Sequence, residues 1–207
     1  MAGLAARLTE LGVLEDRYGA DLDLTEGLAP GEVLEGLELE ACRFDGCVLE
    51  EAVLRDCTFT DCTFTGSNLS MADLAGSRFT DCRFVDCKAL AVQWSRAAPA
   101  PLSARPWDFE RCRLDLGSFR DAEAAGSRFA DCSVREVDLA GADLRRTDLG
   151  GCDLAGATFA GTDLREASLV GASGYVVDPA ENRVRGLRVD AAAAGGILRA
   201  MGLVVEG

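Results

Sequence analysis

Large apolar side chains recur every five residues along most of this chain. That spacing matches neither the 3.6-residue turn of an α-helix nor the two-residue alternation of a strand. All nine phenylalanines share one register: Phe44, Phe59, Phe64, Phe79, Phe84, Phe109, Phe119, Phe129 and Phe159. Taking this position as a centre, 21 of the 25 centres from Leu39 to Leu169, omitting 99 and 104, are Leu or Phe; the exceptions are Ala89, Trp94, Ala124 and Val134. Two residues before almost every centre lies a small side chain, and all nine cysteines fall in that slot.

A unit with one large and one small apolar residue in five cannot bury its face alone, whereas stacked coils of such units can. Both residues then point inward and fill a narrow core, leaving no ligand cavity. The other three positions face water, and the Gly or Asp after the centre suits a bend at each corner. A second period of 20 is also present. Cys42, Cys62 and Cys82 form one column, Cys112, Cys132 and Cys152 another, and Phe44, Phe64 and Phe84 a third. Four units per coil, stacked at about the 4.8 Å strand spacing, give an all-β rod.

The consensus A/C-D/x-L/F-x-G/D, as in "ADLAG", "CTFTD" and "TDLRE", resembles that of the pentapeptide-repeat family. The resemblance covers roughly residues 34–173. It implies a right-handed quadrilateral parallel β-helix with one quintet per side.

Composition removes several function classes. The chain has no His, the commonest general base, and no phosphate loop, nucleophile elbow or H-E-x-x-H motif, so it reads as a non-enzyme without cofactors. The aspartates before the centres (Asp138, Asp143, Asp148, Asp153, Asp163) follow the repeat rather than a catalytic geometry. The cysteines are odd in number and occupy a slot shared with Ala and Ser, which predicts reduced core thiols rather than disulfides or a zinc site. No apolar run reaches the roughly 18 residues of a membrane span, and the start lacks a signal peptide's apolar core, so a cytoplasmic location is expected.

The net charge of −14 argues against direct nucleic-acid binding and fits a basic partner. Residues 1–40 hold ten acids against Arg7 and Arg17, whereas residues 41–171 hold 21 acids against 15 bases. Asp121, Glu123, Asp143 and Asp163 are expected to align along one corner at coil spacing. This ridge reads either as a substitute for a phosphate track or as a solvated face paired with Arg145, Arg165 and Arg185.

Three irregular segments break the repeat. Residues 1–33 lie outside it, with Leu4, Leu8 and Leu11 on one face of a short helix; the segment is a cap on the first coil or an acidic docking element. Ser95–Trp107, with three prolines, cannot feed a β ladder and is expected to project as a loop. Phe109 resumes the phase, so the rod closes beneath the loop, whose Arg96, Arg105 and Trp107 are candidate partner anchors. After another break, residues 174–189 return to phase at Val184 and Val189. Asp190 is then expected to N-cap a helix over 191–201, stopped by Gly202. Ala194, Leu198 and Met201 on that helix, with Leu203 and Val205 on a short strand, form a candidate dimer module over 190–207.

The tail "RVRGLRVDAAAAGGILRAMGLVVEG" and the stretch "NLSMADL" resemble the quinolone-resistance (Qnr-type) branch of the pentapeptide-repeat family. That resemblance implies a C-terminal homodimer and a B-DNA-like rod that binds DNA gyrase, or another type II topoisomerase, and protects it from fluoroquinolones. A gyrase-poisoning natural product is the alternative agent. The long acidic N-terminal segment, the proline-rich loop and the moderately acidic rod depart from that branch. An interaction scaffold with an unrelated protein partner is the alternative function.

Overall fold

The computed structural model describes residues 3–99 and 107–205. The repeat forms a four-sided parallel β-helix. The first wall stacks strands Tyr18–Ala20, Glu38–Glu40, Thr58–Thr60 and Arg78–Thr80 in that order. The second stacks Asp23–Leu24, Arg43–Asp45, Thr63–Thr65, Arg83–Val85, Asp108–Glu110 and Arg128–Ala130. Single parallel bridges build the third wall from Val48 through Asn68, Lys88, Arg113 and Ser133 to Asp153 and Ser173. The fourth starts with paired strands Val33–Glu35 and Val53–Arg55 and carries Gln93, Ser118, Asp138 and Thr158 higher up.

Partners are 20 residues apart except across residues 100–106, which lie outside the described residues, where Phe84 pairs with Phe109, Lys88 bridges Arg113 and Gln93 bridges Ser118. The insertion is therefore one quintet, and the rod closes around it as the register requires. Phe64 is buried and stacks on Phe44 at 4.4 Å and on Phe84 at 4.8 Å, and the column continues through Phe109 and Phe129.

Most described corners turn on a left-handed residue two after the centre. Asp56, Asp61, Asp81, Asp86, Asp121 and Asp131 hold φ between 51° and 57° there, a region Asp tolerates better than most residues. Above one such corner a side chain would have to displace the aspartate carboxylate. Gly151 has φ +70°, and a Cβ on it would lie 2.2 Å from Asp131 Oδ1. Gly151→Ala should cost about 1–2 kcal/mol in urea unfolding. Adding Asp131→Ala should return the part due to the clash and leave the part due to φ.

The small slot does more than save space. Ser67 Oγ accepts the Cys47 N–H at 3.0 Å and donates to the Phe44 carbonyl at 3.1 Å, tying adjacent coils at a corner the β ladder does not reach. Cys87, Cys112 and Cys152 thiols donate in the same way to the carbonyls of Phe64, Phe84 and Phe129. All nine cysteines are buried free thiols, and burial pushes Cys47 up to about 12. Sequence reasoning read this slot as small and inert, and missed its polar role.

The solenoid begins earlier than residue 34. Strands Tyr18–Ala20 and Asp23–Leu24 already pair with the next coil, so residues 1–33 do not all lie outside the repeat. Gly19 sits in phase but supplies no bulk. Val13 and Leu39 fill the space beside it, with methyls 3.0 and 3.2 Å from where its Cβ would be. Helices α1 (Leu4–Glu10) and α2 (Val13–Asp16) close this end. Leu4 and Leu8 are fully buried and Leu4 N–H donates to Gly27 O, so the helix packs onto the first coil; Leu11 is exposed instead of joining that face.

At the other end Arg183 and Arg188 bridge Asp163 and Ser168. Asn182 fills the small slot, accepting the Thr162 N–H and donating to Phe159 O. Helix α3 (Ala191–Ala200) follows, with Asp190 at the N-cap position. Its side chain makes no cap bond and instead accepts the Gly171 N–H at 2.6 Å, tying the helix start to the coil below. Gly202 at φ +82° ends the helix, with Leu203 N–H bonded to Leu198 O and Gly202 N–H to Arg199 O. Leu203–Val205 forms no strand in the single chain.

Candidate interaction surface

The loop anchors separate. Trp107 is a core residue, buried in the slot two before Phe109, with its ring 5.2 Å from Phe119 and 6.1 Å from Trp94. It is therefore unavailable as an exposed anchor; the five-residue phase already placed it inward. Arg96 is half-exposed, but it pairs with Asp73 at 2.9 Å and its carbonyl accepts the Gly76 N–H. The coil therefore continues through Arg96, and Ala98 N–H still reaches Ser77 O. Arg105 lies outside the described residues.

The acidic ridge is aligned as expected: Glu123, Asp143 and Asp163 bridge in sequence up the first wall, and Asp121 occupies the corner beside Glu123. Its upper part is neutralised. Arg145 grips Asp143 at 2.5 Å, Arg165 grips Asp163 at 2.6 Å, and Arg183 stands 3.6 Å from Asp163 in the place expected of Arg185. These guanidinium groups hold the carboxyls of Asp143 and Asp163 below the ordinary aspartate range. Asp121 and Glu123 make no ion pair among the described residues.

The tail is apolar and open. Leu198, Met201 and Leu203 are exposed and Val204 is 88% exposed, while Ala194 and Val205 are half-buried. No helix among the described residues is long and apolar enough to cross a membrane.

The family described as pentapeptide repeat region matches residues 37–115, and that described as pentapeptide repeats (8 copies) matches residues 142–173, together more than half of the chain. The chain belongs to the pentapeptide-repeat family. Neither match indicates a catalytic family. A solved structure of a trypsin-treated variant of QnrB1, a plasmid-mediated fluoroquinolone resistance protein, is similar over 91% of this chain and 100% of its own, at 17% identity and a TM-score of 0.55. HetL, a pentapeptide repeat protein involved in heterocyst differentiation regulation from the cyanobacterium Nostoc sp. strain PCC 7120, is similar at 18% identity over 91% of this chain and 95% of its own, with a TM-score of 0.48. At 17% identity the likeness of the pentapeptide-repeat rod to QnrB1 is one of fold. No curated protein matches the chain significantly.

Proposed function

We propose that this pentapeptide-repeat protein is a non-enzymatic, DNA-mimicking partner of a type II topoisomerase such as DNA gyrase, which it shields from fluoroquinolones or a gyrase-poisoning natural product. The observation that carries this reading is the tail: a partial coil, a helix started at Asp190 and an exposed apolar end, in a segment whose sequence resembles the Qnr-type branch. The net charge of −14 and the correspondence with QnrB1 along nearly the whole chain support it. Immobilised protein should retain DNA gyrase from a bacterial lysate. Retention of another protein in place of gyrase would favour the second reading, a scaffold for an unrelated partner. The self-paired Asp143 and Asp163 favour that second reading, because a neutralised ridge is a poor substitute for phosphates.

In the same reading α3 and the following residues form a two-fold interface. Leu198→Asp with Met201→Asp should yield a folded monomer in sedimentation, with an unchanged circular-dichroism spectrum. Unmodified protein already monomeric at tens of micromolar would rule the interface out.

A further inference from the structure

We propose that an apolar strip along the corner between the third and fourth walls docks an acidic amphipathic helix of a partner protein. Met71, Ala91 and Leu116 occupy this corner in three successive coils, each two residues after a third-wall centre. Backbone bonds fix the stack: Met71 N–H donates to Leu90 O and Ala91 N–H to Asp115 O. All three hold φ between 56° and 63°. Among the described non-glycine residues with positive φ, Met71 and Leu116 are the only large apolar ones, and the coils below and above place Glu51 and Glu136 in the same corner. Neither is a core residue: Met71 is 49% and Leu116 55% exposed. Half-buried Leu90 extends the strip onto the third wall. Bulky apolar side chains held outside the core, in a backbone region that suits Gly and Asp better, point to a use beyond folding.

The third wall beside the strip supplies the charge that selects the partner. Lys88 bridges Arg113 directly, and like charges placed opposite each other in a ladder repel. Lys88 makes no ion pair among the described residues, and Arg113 stands 3.9 Å from Asp115. Asp115 is itself engaged, its Oδ1 accepting from Ser133 Oγ and from the Arg135 N–H. In a chain of net charge −14 these two stacked cations are opposite in sign to the whole, so an acidic segment is drawn to this face and repelled by most others.

The dimensions match a helix. At a coil spacing of about 4.8 Å, Met71 and Leu116 lie roughly 10 Å apart, close to the rise of seven helical residues at about 1.5 Å each. Ala91 is small and leaves room between the two larger side chains for a helix residue at i+3 or i+4. A strip three coils tall falls short of the roughly 800 Å² per partner that a stable protein pair buries, which favours one helical segment over a second copy of the chain.

Docking here does not depend on topoisomerase protection, and the test contains no topoisomerase. The probe is a lactam-stapled helical peptide of about 15 residues, with Leu at i, i+4 and i+7 and Glu along both flanks of that face. It is titrated into the full chain carrying carbon-13 at its methionine methyls, where Met71 gives one of three signals and is assigned with Met71→Leu. A saturable shift of the Met71 methyl is expected, with affinity roughly tenfold weaker in Lys88→Gln/Arg113→Gln and roughly tenfold weaker in Leu116→Asn. Asn tolerates the left-handed corner, and thermal midpoints confirm that both variants are folded. The same peptide with Lys in place of Glu should also bind more weakly by roughly tenfold or more. No saturable shift, equal affinity for the Lys peptide, or unchanged affinity in either variant would overturn the proposal. A larger shift at Met201 would place the peptide on the tail, and a Met71 shift that follows protein concentration without peptide would place a second copy on the strip; either result would also overturn it.

Discussion

Phe64→Ala is expected to destabilise the rod by about 3–5 kcal/mol and to lower its thermal midpoint by on the order of 10 °C. The ring is sandwiched between Phe44 and Phe84 and meets the edges of Phe59 at 5.8 Å and Phe79 at 6.4 Å. Four neighbours lose their contacts at once. Flanking coils are held by their own ladders and cannot collapse into the space, so most of the cavity remains. A midpoint within about 2 °C of the unmodified protein would contradict the register of the second wall.

Leu8→Asp is expected to cost about 4 kcal/mol or more, from lost apolar burial and a carboxylate with no partner in the cap. Leu8 is fully buried over the first coil. In a solenoid each coil touches only its neighbours, so the loss should be local at first. Hydrogen exchange should accelerate in the strands Tyr18–Ala20 and Asp23–Leu24 before it does in Arg128–Ala130. Uniform acceleration would mean that the rod unfolds as one unit and that the cap is not a separate end.

The fold was legible because one residue in five carries it and the corners repeat the same backbone conformation. Where that signal weakens, reading the sequence stopped short. Gly19 is in phase but small, since Val13 from the cap fills the space beside it; a pattern that counts only large centres overlooks that coil. Trp107 was read as a possible anchor although its position two before Phe109 marks it as core. Asp190 had the right residue type and position for a cap, yet Gly171 N–H captures its carboxylate. The coil beneath helix α3 decides this contact, and no local pattern records it. The acidic ridge was legible as an alignment, and so was its pairing with Arg145 and Arg165; only the third partner differs, Arg183 standing in place of Arg185.

The central claim is protection of a type II topoisomerase, and DNA supercoiling by gyrase in the presence of ciprofloxacin tests it most directly. Added protein should restore supercoiling that the drug has suppressed, at concentrations that leave drug-free supercoiling largely intact. If supercoiling stays suppressed across protein concentrations up to tens of micromolar, with the rod folded throughout, the topoisomerase-protection account is wrong.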